Sequence, residues 1–550
     1  MRKSLTLSAA VLGFGLTLGA VDTVAVAAPA SQVVSLRRLT EQEYRNSIAD
    51  IFGSDIAIEG SFEPLTRVGG LLSASTAVLS VTGVGFESDS QMADGIANQV
   101  VGAKNRGKLL ACTPKSPTAP DDACATQIFT HYGLLLFRRP LTAGELKQRV
   151  DLANKLAKSS NDFYVGLRYG FDSLLEAPDF LFRKELAVSA DGKDYALDAY
   201  SRATRLSFMM WDSTPSAALL QLAGTGELNT PAGVAKQVDM LIASPKLDTG
   251  MRAFFSDMLE LDTFDNVTKD TLIYPDWIAP IAVSAREETL RSTIDLTLHT
   301  NGDLRDLVTT RKTFINRTLA PIYGTAFNFH DEWVPYEFPA DSGRSGLLTQ
   351  VSMLTMFSHP GRSSPTERGV ALMDILLCEP TPTPPANVDF SIVNNTDGPL
   401  KTVRERLLAH ATNPTCASCH THSDPIGLSL EDFDSTGTHR TKENGSMIDV
   451  SATIQGKSFV GAPGLGKFLH DDPKFPACVA RKLDSYATGA DSGDVDPSSF
   501  KAAYKAFVDS GYRLKTLLKG IATDPGFFSV PPPVQQASAA PSTQIAKNRN

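Results

Sequence analysis

The chain has 550 residues, of which 42% are hydrophobic, 21% charged and 8% aromatic, the ordinary composition of a soluble globular protein. A formal net charge of -9 argues against nucleic acid or anionic lipid as the main partner. Removal of a 27-residue leader leaves about 523 residues (550 minus 27), enough by length for three or four domains with real cores.

Residues 1–27 read as a cleaved signal peptide: Arg2 and Lys3 open it, Leu5 to Val21 is apolar, and Ala25-Val26-Ala27 offers small residues for cleavage. The expected location is periplasmic or otherwise exported. No later segment has the length and uniform apolarity of a membrane span, so no integral span is expected after cleavage.

Helix signals dominate the mature chain. Thr40-Glu41-Gln42-Glu43 is a capping box followed by Tyr44, Ile48, Ile51 and Phe52 at helical spacing, with Gly53 placed to end the helix. A second box lies at Thr142 to Glu145, ahead of Leu146, Val150 and Ala153, and a third at Ser364-Pro365-Thr366-Glu367 opens a helix running to Cys378. Apolar positions of helical period mark Tyr200 to Trp211, Gly233 to Ile242, Met251 to Leu261 and Ala285 to Leu298, whereas strand-like alternation is scarce. Breaks fall at Cys112 to Cys124, Ser189 to Asp194, Asp331 to Gly346 and the proline-rich Glu379 to Leu400. The expected fold is mainly α: helical modules over residues 34–111, 125–187 and 195–330, a cytochrome c-like haem module over 345–440, and a C-terminal helical module over 446–528. The Pro/Ala/Ser/Gln-rich residues 531–550 read as a disordered tail.

One motif names a cofactor. Cys416-Ala417-Ser418-Cys419-His420 is a C-x-x-C-H run, in which two thiols can each form a thioether with a haem vinyl group while the histidine ligates the iron. One covalent haem c, held by Cys416 and Cys419 with His420 as axial ligand, is the expectation, and export agrees with it. Half of a zinc knuckle with His422 or His439, a redox dithiol and a structural disulfide are the alternatives. The remaining cysteines, Cys112, Cys124, Cys378 and Cys478, are even in number for an oxidising compartment. The short loop between Cys112 and Cys124 favours that pair, which leaves Cys378 with Cys478.

The ligand on the other face of the iron decides between electron transfer and open-site chemistry. Candidates are His359, His422, His470, Met353, Met356 and Met447. His359 comes first, since it precedes a capped helix expected to pack on the haem module; the alternative is an ordinary loop histidine. Asp424 to Gly427 reads as a turn, followed by a short helix that sets Leu428, Leu430 and Phe433 on the porphyrin edge with Glu431, Asp432 and Asp434 solvated or near propionate-side arginines. Asp491 to Asp496 reads as a polar loop rather than a calcium site, and Arg138 and Arg139 as capping and ion-pairing residues.

Taken in order, Arg38-Leu39-Thr40, Phe137 to Thr142, Glu176 to Phe180, Ser201 to Ser207 with Trp211, and Ser364 to Gly369 carry a resemblance. So do Cys416 to His420 with Asp424-Pro425-Ile426-Gly427, Leu430-Glu431, Phe433-Asp434 and Gly437, and then Tyr486 to Gly489. Over residues 35–528 the chain resembles the planctomycete-type cytochromes, exported proteins of consecutive domains of unknown function with one haem c motif. The resemblance implies a mostly helical exported protein with a c-type haem and supplies no reaction. Ala490 stands where the family usually has arginine, and Ser423 where many members carry methionine. Electron transfer to a redox partner protein or an unidentified substrate is the first functional expectation, in the service of an oxidoreductase reaction. A haem oxidase or peroxidase, and a binding scaffold with a structural haem or metal knuckle, stand beside it.

Overall fold

A computed structural model of the chain describes residues 31–78, 81–189, 193–327, 332–382, 391–396, 398–412, 414–493 and 500–530, without the side chains of Asp265, Pro414, Thr415, Cys416, Ser418 and Cys419. The predicted leader, the predicted tail and Asp494 to Asp496 lie outside these residues.

Helices make up most of the described chain. Local chemistry explains where they start. Thr40 and Thr142 each form a reciprocal capping box with Glu43 and Glu145, heading Glu41–Phe52 and Ala143–Ser160. Ser364 caps Pro365–Leu377 through the Glu367 N–H. Gly53 ends the first of these helices at φ 98°, a conformation that glycine adopts without strain.

Strand content is higher than the sequence pattern implies. Gln32–Arg38 pairs antiparallel with Phe182–Val188, which pairs with Tyr195–Leu197, which pairs with Ser529–Val530. Residues from both ends of the described chain therefore share one sheet. Phe182–Val188 alternates as a strand should, but the residues it buries are Arg183, Glu185 and Ala187. Arg183 meets Glu43 at 3.1 Å and Arg205 meets Glu185 at 2.5 Å, so the inward charges are compensated. An inward face of charge carries no hydrophobic period, which is why the strand is invisible to pattern reading.

One buried apolar cluster runs from Leu39 to Phe528, and a second gathers Phe264, Ile281, Ile315, Tyr323 and Phe338. Two disulfides brace the chain: Cys112 with Cys124, and Cys378 with Cys478. The second ties the end of Pro365–Leu377 to Lys474–Thr488. No helix among the described residues is long and apolar enough to cross a membrane.

Candidate functional site

The C-x-x-C-H run lies in the helix Pro414–Leu428, which packs on Pro365–Leu377. Two glycines let the backbones touch. A Cβ on Gly369 would sit 2.0 Å from the Ser423 carbonyl oxygen, and one on Gly427 would sit 1.7 Å from that of Pro365. The glycines of Ser364 to Gly369 and of Asp424 to Gly427 thus face one crossing. Asp424 to Gly427 are not the expected turn: they continue the helix, with Pro425 inside it. The carbonyl that proline leaves without its helical donor is that of Thr421, four residues earlier.

His420 and Asp424 stand one helical turn apart, and His420 Nδ1 is 2.8 Å from Asp424 Oδ2. Thr366 donates to the other Asp424 oxygen at 2.8 Å, so the carboxylate is held from both sides. The contact with Asp424 raises the His420 pKa above its ordinary value, against the opposing effect of partial burial. It also assigns Nδ1 as the N–H nitrogen of the neutral ring and leaves the Nε2 lone pair available, the state a metal-binding imidazole requires. The backbone of Cys416 and Cys419 is helical, and their side chains lie outside the described residues.

A second imidazole meets the first. Val403–His410 starts on a capping box of Thr402 and Glu405 and ends at His410, which is buried. The rings of His410 and His420 have centroids 5.1 Å apart and planes at 77°. The sequence offers no local signal for this pair, since His410 is a lone histidine at a helix end. Each imidazole is a nitrogen donor of the kind a haem iron takes, and one is locked by a carboxylate, but the two rings touch edge to face and leave no room for a porphyrin between them.

The other candidates lie elsewhere. His359 is partly exposed, with Nδ1 3.7 Å from Glu367 Oε1. His422 contacts Thr421, His439 lies 3.9 Å from Asp432, and His470 pairs with Asp471. Met353 is buried, Met356 Sδ accepts from the Thr263 hydroxyl at 3.1 Å, and Met447 is exposed. Arg138 and Arg139 act as expected, Arg138 donating to the carbonyls of Asp179, Phe180 and Phe182, and Arg139 pairing with Glu145 and Asp179.

Of the two places expected for Glu431, solvent or the side of arginines, the structure shows the second: it is buried, 3.6 Å from Arg368 and 2.8 Å from Arg440. Arg368 is itself buried and donates to the carbonyls of Leu430, Phe433 and Asp434 at 3.0, 2.8 and 2.6 Å. Arg344 donates to the Gly437 carbonyl at 3.0 Å. Leu430 and Phe433 belong to the protein core, and Leu428 packs with Val403 and Leu407. Burial pushes Asp432 up to about 6.

Five family models match the chain in succession. Residues 37–102 match DUF1587, 124–185 DUF1595, 197–325 DUF1592, 344–443 DUF1588 and 455–527 DUF1585, each described as a protein of unknown function. Together they are the planctomycete cytochrome-type series of such domains. No curated protein and no solved structure matches the chain. His410, His420, Asp424, Glu431 and Arg368 all fall in the DUF1588 segment, so the two glycine contacts and the Arg368 hydrogen bonds are the internal framework of that one domain.

Proposed function

We propose that this is an exported, monohaem c-type cytochrome-like protein that relays single electrons. Cys416 and Cys419 would attach the haem, His420 would ligate its iron, and His410, once turned away from the His420 ring, would be the second ligand. A haem c bound there supplies a one-electron couple. His420 presents Nε2 because Asp424 occupies Nδ1, and Thr366 keeps Asp424 from turning away. The nearness of His410 to His420 carries the choice of electron transfer: the rings touch edge to face, so a porphyrin would have to part them, and His410 on the opposite face would then close the iron to peroxide and oxygen. Export is supported by the two disulfides, which persist in oxidising compartments.

The test is the absorption and paramagnetic resonance spectrum of protein made in the periplasm of a cell that attaches haem c. The wild type should be red, low-spin and slow to take up carbon monoxide. His410→Ala should become high-spin and bind carbon monoxide rapidly, while His359→Ala, the competing ligand from the sequence, should leave the spectrum unchanged. Rapid carbon monoxide binding by the wild type would replace the relay with an oxidase or peroxidase. A colourless, zinc-containing product would remove the haem altogether.

A further inference from the structure

A loop of the DUF1592 segment carries apolar side chains into solvent. Leu272 is 93% exposed, Ile273 54% and Ile278 53%, and Pro275 lies exposed between them. Single exposed apolar residues are commonplace, but a contiguous group rimmed by polar residues marks a surface for a partner. The loop is braced rather than slack. The Asp270 side chain accepts from the Leu272 N–H at 2.8 Å, and the Asp270 carbonyl accepts from Ile273 and Tyr274 at 3.1 and 2.8 Å. The Tyr274 carbonyl accepts from the Trp277 N–H at 3.1 Å, and Trp277 packs on the second core cluster. Groups held in place beforehand lose little freedom when a partner arrives.

The loop is seated on the DUF1588 segment, beside the C-x-x-C-H helix. Lys269 is buried and donates to the carbonyls of Thr355 and His359 at 3.1 and 3.3 Å. The Asp270 N–H donates to the Pro360 carbonyl at 3.1 Å, and a Cβ on Gly361 would meet Ile273 Cδ1 at 3.0 Å. A few residues on, Thr366 holds Asp424, which holds His420. The patch therefore stands a short chain of contacts from His420.

Charge defines the class of partner. Over residues 269–278 and 358–367 the ionisable side chains that carry charge are Lys269, Asp270, Asp276, His359, Arg362 and Glu367, beside the Tyr274 phenol. Lys269 is turned inward, Arg362 donates to the Val393 carbonyl and to Asn394, and His359 stands 3.7 Å from Glu367. Asp270, Asp276 and Glu367 are exposed, so an acidic rim surrounds the apolar centre in a chain of formal net charge -9. We propose that Leu272, Ile273 and Ile278 form the centre of a docking surface for a small basic electron-carrier protein, one whose apolar contact patch is ringed by lysines. The electron-carrier part of this assignment rests on the relay reading above. A patch of this size suits such a partner, because encounters between redox proteins bury under about 1,200 Å² in total and are steered by opposite charge.

An NMR titration tests this, with the haem-loaded full chain added to a lysine-rich mitochondrial cytochrome c as probe, or to the same cytochrome with its lysines succinylated. The wild type should bind the lysine-rich form, more weakly as salt rises from about 20 to about 200 mM, and the succinylated form at least tenfold more weakly. The double variant Leu272→Gln, Ile278→Gln alters exposed side chains, should keep the wild-type melting temperature, and should weaken binding at least tenfold at either salt concentration. Asp276→Lys leaves the apolar centre intact and should weaken binding severalfold at low salt and little at high salt. No binding, binding that ignores succinylation, or a double variant that binds normally would each overturn the docking surface. Binding as described, in protein that passes no electron to the bound cytochrome in stopped flow, would confirm the surface and refute the relay.

Discussion

Replacing Asp424 with asparagine preserves the shape of the His420 contact and removes its charge. The two side chains are 13% and 8% exposed, their contact is 2.8 Å, and Thr366 holds the far oxygen, so the amide should take the same place. A hydrogen bond to a charged group contributes about 1.5–3 kcal/mol and a neutral one about 0.5–1.5, so the exchange costs about 1 kcal/mol. The loss falls on the states in which the imidazole bears most positive charge: the protonated ring in haem-free protein and the ring bound to ferric iron in the holoprotein. For a one-electron couple, a tenfold change in equilibrium is 59 mV, so about 1 kcal/mol corresponds to a rise in midpoint potential of roughly 40 mV. Spectroelectrochemistry of Asp424→Asn measures that rise, and an NMR titration of haem-free protein should show the His420 pKa falling towards the ordinary value. An unchanged His420 titration would refute the carboxylate contact. A lowered titration with an unmoved or lower potential would refute His420 as the iron ligand.

The disulfides and a buried acid offer two further tests. The Cys378–Cys478 bond spans 100 residues and the Cys112–Cys124 bond 12, so loop-closure entropy predicts losses of about 4.7 and about 3 kcal/mol when each pair becomes alanine. Urea midpoints of the two double variants should fall in that order, and the reverse order would contradict it. Glu288 is fully buried, accepts from Thr313 and Tyr323 at 2.7 and 2.5 Å, and is pushed up to about 7 by desolvation from an ordinary value of 4.5. Its folded pKa lies above its unfolded one, so its contribution is complete below pH 4.5 and is lost as pH rises through 7. At 1.36 kcal/mol per unit the loss is about 3 kcal/mol. Glu288→Gln should show a correspondingly flatter stability profile between about pH 4.5 and 7.5, and a slope equal to the wild type's would exclude Glu288 as its source.

Signals that act within one or two helical turns are legible in the chain itself. The capping boxes at Thr40 and Thr142 and the stop at Gly53 close on neighbouring backbone groups, so their meaning does not depend on the rest of the fold. The cysteine pairing is legible because four cysteines allow three pairings and the short loop after Cys112 favours one of them. The strand Phe182–Val188 is not, because Arg183 and Glu185 point inward and only the distant Glu43 and Arg205 make that tolerable. Glu431 reads equally as a solvated acid or an arginine partner until Arg368 and Arg440 converge on it.

The same division runs through the candidate site. The sequence by itself determines that two thiols and a histidine share one short segment, and that Asp424 stands four residues after His420, since both facts are matters of spacing. Tertiary structure alone decides that Gly369 and Gly427 meet a neighbouring backbone, that Thr366 grips Asp424, and that His410 reaches His420. It alone brings Asn46 and Tyr486 onto Asp212 from distant segments. A periodicity records which face of an element is apolar, but not which other element that face will meet; the meeting is set by packing over hundreds of residues.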